Sequence, residues 1–212
     1  MGIAERKERE KLQRRKDIID AAEKVFFSRG FESATMDEIA LVAELSKGTL
    51  YLYFKSKEDL QFAIFMRGSD ILMKMMKDNL SADSYGYQRL LELADSFIRF
   101  SREYRNYFSL FMYYESSRMK ALNIDQDQLQ VYLKEDSPLA LVTHEVIRGM
   151  QDGSLRDDLS TEVFSATLWS QMLGVLIVLN NKADLYEIFN LKADEILQTH
   201  LELVSHGSIP IK

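Results

Sequence analysis

The chain has 212 residues, 46% of them hydrophobic and 28% charged, with a formal net charge of −6, two prolines, nine glycines and no cysteine. That balance belongs to a folded globular protein of one or two domains, and it excludes disulfides, thiolate metal sites and a cysteine nucleophile. Residues 1–57 carry 12 Lys/Arg against 10 Asp/Glu while the remainder is acidic, so any anionic partner is expected at the N-terminal end.

Taken in chain order, residues 1–13 form a basic arm without the apolar core of a signal peptide. Residues 14–29 place Ile18, Ile19, Ala22, Val25 and Phe26 at helical spacing, and Gly30 stops the helix. Thr35 with Glu38 makes a capping box that opens a short helix over about 36–43. Ser46 caps a second short helix over about 47–53, with Leu50 and Phe54 on its core side. Two short helices meeting at Ala40 and Ala43 make a helix-turn-helix. A long helix follows from Lys57 to about residue 80, capped by Ser56. Further helices are expected at about 87–104, 105–116, 138–151, 160–181 and 192–205, with some helical character between residues 127 and 134. Ser137 and Pro138 read as a cap and a first-turn proline. No segment alternates convincingly enough to be a strand. The fold class is therefore all-α: an N-terminal three-helix helix-turn-helix module, residues 1–56, then a larger helical bundle, residues 57–212, with a dimerisation face. The most apolar run, residues 172–179, is shorter than the roughly 20 residues of a membrane span, so a cytoplasmic protein with no membrane partner is expected.

The stretch from Leu45 to Leu60, "LSKGTLYLYFKSKEDL", holds no acid between Ser46 and Lys57. A helix of about eight residues is roughly 12 Å long and fits a major groove about 12 Å wide. Lys47 and Thr49 near its start are placed for base edges. Tyr51 and Tyr53 carry hydroxyls suited to phosphate oxygens, and Thr35 and Lys57 sit at helix starts that attract anions; Ser46 and Lys55 complete the candidate DNA-binding set. Gly48 either lets DNA approach the backbone or is an ordinary first-turn glycine. The arm residues Arg6, Lys7, Arg9, Lys11, Arg14 and Arg15 suit phosphate contact, or equally a helix extended by ion pairs with Glu5, Glu8 and Glu10.

Across about residues 14–60 the sequence resembles the DNA-binding module of the TetR family of bacterial transcriptional regulators. "SKGTLYLYF", the Ile-Ala core pair and "SKEDL" carry the resemblance. A small residue, usually glycine, is common in that family where this chain has Glu44. If the turn needs a positive φ there, glutamate costs up to about 1 kcal/mol.

The resemblance implies a homodimer built on the last two long helices and a near-palindromic operator of double-stranded DNA. Residues 163–179 are apolar on nearly every side, as a helix covered all round requires. Coverage by the chain's own core is the alternative to a dimer. Residues 96–116 hold four Phe and four Tyr. Together with neighbouring helices they offer Phe65, Phe97, Phe100, Phe108, Phe111, Met112, Tyr114, Trp169 and Met172 as the wall of a cavity for a small apolar or aromatic ligand. Glu115 and His144 are its candidate polar groups. Ordinary packing is the competing account of each aromatic residue. No cofactor and no metal site are expected. The expected function is a dimeric transcriptional repressor released by an apolar ligand. The alternative is a DNA-binding protein whose bundle docks a protein partner. Three histidines and no cysteine leave little for enzymatic chemistry.

Overall fold

The computed structural model describes residues 2–113, 132–181, 186 and 188–210; the side chains of Phe111 and Met112, and the whole of Tyr114 and Glu115, lie outside the described residues. The helices are α1 (Ile3–Arg29), α2 (Met36–Val42), α3 (Lys47–Tyr53), α4 (Lys57–Asn79), α5 (Gly86–Glu103), α6 (Arg105–Tyr113), α7 (Pro138–Gln151), α8 (Thr161–Asn181) and α9 (Ala193–Ser208), with a π-helical turn at Tyr132–Asp136 before α7. Among the described residues there is no strand. Contacts divide the chain into two compact units: Met1–Gly68 with a segment beginning at Ser109, and Ser69–Phe108 with the elements after residue 131.

In the first unit, α1 buries Ile18, Ile19, Ala22, Val25 and Phe26, the stripe expected from their spacing. The helix starts eleven residues earlier than that stripe requires, because the arm is helical from Ile3 and Arg6 pairs with Glu10 at 2.8 Å. Ile39 and Ala40 of α2 and Leu50 of α3 close the core, with Phe54, Leu60 and Ile64. Arg67 of α4 reaches back to α1, at 2.7 Å from Asp20 and 2.6 Å from Glu23. Gln61 is buried in the same unit, and its side-chain Nε2 has no hydrogen-bond partner among the described residues.

In the second unit, α7 packs between α5 and α8, and α9 packs on α8. Ser137 caps α7 by accepting from the Ala140 amide at 3.1 Å. The start of α5 crosses the end of α7 at Gly86 and Gly149. A Cβ on Gly86 would lie 2.2 Å from the Gly149 nitrogen, so the crossing requires a residue without one. The first amides of α5 are satisfied across this crossing: Gly86 donates to Asp152 at 2.7 Å and Tyr87 to Ser154 at 3.0 Å. Beside them Arg89 grips the buried Glu145 carboxylate through two hydrogen bonds of 2.6 and 2.9 Å. The 172–179 run lies within a 21-residue helix that is long and apolar enough to cross a membrane by length and composition, with only 22% of its apolar window buried inside the protomer. The shorter apolar run understated it because Ser165, Thr167 and Ser170 interrupt the apolar residues without lowering the average enough to break the pattern.

Candidate nucleic-acid interface and bundle cavity

The turn between α2 and α3 fixes how α3 is presented. Leu45 donates to the Ala40 carbonyl at 2.9 Å and Glu44 to that of Leu41 at 3.1 Å, the paired bonds of a Schellman stop. Glu44 occupies its left-handed position with φ 55°. The α2 start is held by Thr35, whose hydroxyl accepts from the Glu38 amide at 3.2 Å while Glu38 returns a bond to the Thr35 amide at 3.1 Å. Arg29 pairs with the same Glu38 carboxylate. Ser46 caps α3, accepting from the Thr49 amide at 3.1 Å, and its hydroxyl lies 2.8 Å from that of Thr49.

Leu50 and Phe54 point inward, so the opposite face of α3 carries Gly48, Tyr51, Leu52 and Lys55, with Lys47 at its edge. Tyr51 is exposed and Tyr53 half-buried. A Cβ on Gly48 would meet only the Ser46 hydroxyl at 4.0 Å, so the protomer itself imposes no need for glycine there. Lys47 is exposed and pairs with Asp37 of α2 at 2.7 Å. The hydrogen bond and charge of that carboxylate hold its ammonium above the usual lysine value. Lys55 folds back, its ammonium donating to the Tyr51 carbonyl at 3.0 Å.

One residue of this face lies outside the expected set, and one expected contact is engaged elsewhere. Leu52 is 76% exposed on the outer surface of α3, a position the inward spacing of Leu50 and Phe54 already implied. Lys57 is built differently from a phosphate hook. Its ammonium donates to the carbonyls of Phe31, Glu32 and Ala34 at 2.9, 3.2 and 3.1 Å, and lies 4.6 Å from the centre of the Phe31 ring. With three donors on three acceptors, this side chain ties the start of α4 to the α1–α2 corner.

Residues 18–64 match the family model of bacterial regulatory proteins, tetR family, over the helix-turn-helix and its two flanking helices. Those residues carry a tetR-family DNA-binding module. Among curated relatives, it is 38% identical over 88 residues to the HTH-type transcriptional activator FasR of Mycolicibacterium smegmatis, covering 42% of this chain and 40% of that protein. It is 32% identical over 73 residues to the fatty acid metabolism regulator protein of Bacillus subtilis, covering 34% and 38%. The chain thus spans about two fifths of the length of these relatives. A tetR-family regulatory protein of known structure from Rhodococcus RHA1 superposes with a TM-score of 0.66 at 18% identity, over 94% of this chain and 98% of that one, a likeness of fold.

In the second unit, a cavity of about 80 Å³ is lined by residues of α4, α5, α7, α8 and α9 and by Leu155. Phe97, Trp169 and Met172 of the expected set line it, and the Phe97 and Trp169 rings stack at 4.8 Å. Phe100 and Phe108 are buried but do not line it; Phe108 packs edge-on to Phe97 at 5.9 Å. Phe65 lies in the first unit, stacked on Phe62 at 6.1 Å. His144 does not serve as a polar cavity group: its side chain is 73% exposed. One step along α7 faces the other way, and the buried polar residue is Glu145, on the stripe of Val142, Val146 and Gly149. An acid inside an apolar stripe was the available signal. The polar groups that do line the cavity are Tyr87, His200, Ser205 and Ser208, with no Lys or Arg. Burial holds the His200 imidazole below its ordinary value, which keeps it neutral at pH 7.

Proposed function

We propose that the chain is a dimeric, sequence-specific DNA-binding regulator of transcription, acting in the cytoplasm and without enzymatic activity. The observation that carries this reading is the outer face of α3: a seven-residue helix, capped and aimed by a well-bonded turn, presenting Lys47, Gly48, Tyr51 and Leu52 to the outside. Lysine reads guanine O6 and N7, an apolar side chain meets the thymine methyl, and an open glycine lets the duplex approach the backbone. Thr49 adds a hydroxyl near the helix start, while Tyr51 and Tyr53 supply phosphate contacts. Lys47 exchanges Asp37 for a base on binding. Thr35 and Lys57 position α2 and α4 rather than act as primary contacts, since their polar groups already hold the corner together.

The dimer is supported by α8 and α9. Val163 and Val178 of α8 and Leu203 of α9 are 63%, 39% and 70% exposed. With Ala166 and Gly174 they form an apolar, small-residue surface that a second copy of itself covers under two-fold symmetry. Two α3 helices about 34–36 Å apart then meet successive major grooves of a near-palindromic operator.

Control by an apolar ligand, releasing a repressor from its operator, is the finer part of the proposal. The apolar, uncharged lining of the α5–α8–α9 cavity and the fatty acid regulator among the relatives support it. A volume of about 80 Å³ is below the roughly 300–1,000 Å³ of ordinary ligand sites, so an acyl chain has to expand it. That same volume favours the second reading, a bundle that answers to a protein partner. Thermal stabilisation by medium-chain fatty acids or acyl thioesters decides between them.

Selection of duplex fragments by the purified protein at physiological salt tests the main reading. Lys47→Ala and Leu52→Ala are expected to relax preference at single base positions by about 1–3 kcal/mol each. Tyr53→Phe weakens binding to all sequences alike. Equal binding of selected and random duplexes would sink the proposal.

A further inference from the structure

The first half of α1 supports nothing inside the protomer. Every residue from Gly2 to Asp17 is exposed, and the first buried position is Ile18. Residues 3–16 thus form a free-standing helix of about 21 Å. A helix that is merely solvated carries both signs of charge on every side. This one does not. Ile18, Ala22 and Val25 form the stripe that enters the core. Continuing that stripe backwards at helical spacing gives Arg14, Lys11 and Lys7, with Arg15 beside them. All four are basic, and Glu8 and Glu10 lie only at the stripe's two edges. Glu5 and Asp17 fall outside it; Glu10 pairs with Arg6 and Asp17 accepts from Gln13 at 2.8 Å. Lys7, Lys11 and Arg14 have no carboxylate partner among the described residues.

Arg15 shows where this stripe emerges. Its guanidinium lies 4.8 Å from the centre of the Phe54 ring, and Phe54 is the residue that ends α3. One face of α1 is therefore apolar where it packs the module and basic where it leaves, beside the end of the helix that faces DNA.

We infer that residues 3–16 are a second DNA-contacting element, a rigid basic stripe that lies along the sugar-phosphate backbone outside the base pairs read by α3. This rests on the DNA-binding reading above. The chemistry of the partner is set by the helix itself. Single-sign charge without base-reading amides suits phosphates. An anionic membrane surface would need an apolar face to insert, and the large apolar residues here, Ile3 and Leu12, stand on different sides of the helix.

The test measures the full-length protein on a duplex it has selected, from about 50 to 200 mM salt, beside the triple variant Lys7→Gln, Lys11→Gln, Arg14→Gln. Glutamine keeps the helix, which circular dichroism checks. At about 0.9 per phosphate contact, the slope of log affinity against log salt falls by about 2.7 per protomer. Preference for the selected duplex over a scrambled one is expected to stay within about twofold, because phosphate contacts carry no sequence information. Hydroxyl-radical protection is lost only at the outer flanks of each half-site. Lys24→Gln, an exposed lysine on the other side of α1, keeps the wild-type slope. An unchanged slope in the triple variant overturns the inference, as does a slope that falls together with sequence preference. If the variant keeps its salt slope on DNA but no longer binds phosphatidylglycerol vesicles that the wild type binds, the stripe serves lipid and the inference is wrong. A wild-type protein that selects no duplex at all overturns the parent reading first, and is recognised before the variant is made.

Discussion

Helix α3 has seven residues and buries one, Leu50; helix α8 has 21 residues and buries five. The short helix leaves a mixed, hydrogen-bonding surface uncovered, while the long one leaves an apolar surface uncovered. Both are incomplete inside a single chain, in opposite senses. A polar outer face over a tight core can stay in water indefinitely until a hydrogen-bonding partner arrives. An apolar outer face cannot do so without a tendency to associate. Under the proposed reading, the first unit suits a reversible partner such as duplex DNA, and the second a persistent one, a copy of itself.

The contrast breaks most easily at α8. A Cβ on Gly174 would meet nothing within 4 Å, so Gly174→Glu leaves the protomer fold intact while placing a charge on the proposed two-fold surface. Self-association is expected to weaken at least about 100-fold by analytical ultracentrifugation, since an unpaired buried charge costs about 3–5 kcal/mol. Operator affinity falls with it, while the thermal midpoint of the isolated protomer stays put. Next in size is Arg89→Met. It strands the buried Glu145 carboxylate and should lower unfolding free energy by about 3–5 kcal/mol in urea titrations. Burial pushes the Glu145 carboxyl up, but the Arg89 guanidinium and the neighbouring His144 bring it below its ordinary 4.5. The wild-type pair therefore contributes in full above that value and is lost as pH falls through the lower folded one. In the variant the Arg89 contribution is gone and the upward push of burial is opposed only by His144, so the stability held above that value is reduced.

Smaller effects belong to the first unit, whose core is already well closed. Gln61→Leu removes the amide nitrogen that has no partner and should stabilise by about 1 kcal/mol or more in the same titration. Glu44→Gly relieves the left-handed turn position, with an expected gain of up to about 1 kcal/mol and no change in base preference. A shift in preference there would mean that glutamate sets the aim of α3 and does more than tolerate its φ.

How far the sequence was legible differs between the units for the same physical reason. Caps, stops and core stripes are local, and Thr35, Ser46, Leu50 and Phe54 announced the helix-turn-helix at spacings of three and four. Even the strain at Glu44 could be read from what the turn demands. The cavity residues depend on which faces of α5, α7, α8 and α9 converge. Density of aromatic residues pointed to Phe97 and Trp169, which line the cavity, and equally to Phe100, Phe108 and Phe65, which do not. His144 and Glu145 are adjacent, and only a strict assignment of the α7 stripe separates the exposed one from the buried one. Lys57 was expected at a phosphate and bonds three carbonyls here, and a basic residue at a helix start looks the same in sequence whether it meets an outside anion or the carbonyls of a nearby corner.

Those three carbonyls give Lys57 a further consequence. The first residue of α4 is pinned through its ammonium to the corner from which α2 departs, and Arg67 pins the same helix to α1 nearly three turns later. Between these two anchors the first turns of α4, the entry of α2 and the shaft of α1 are bonded to one another.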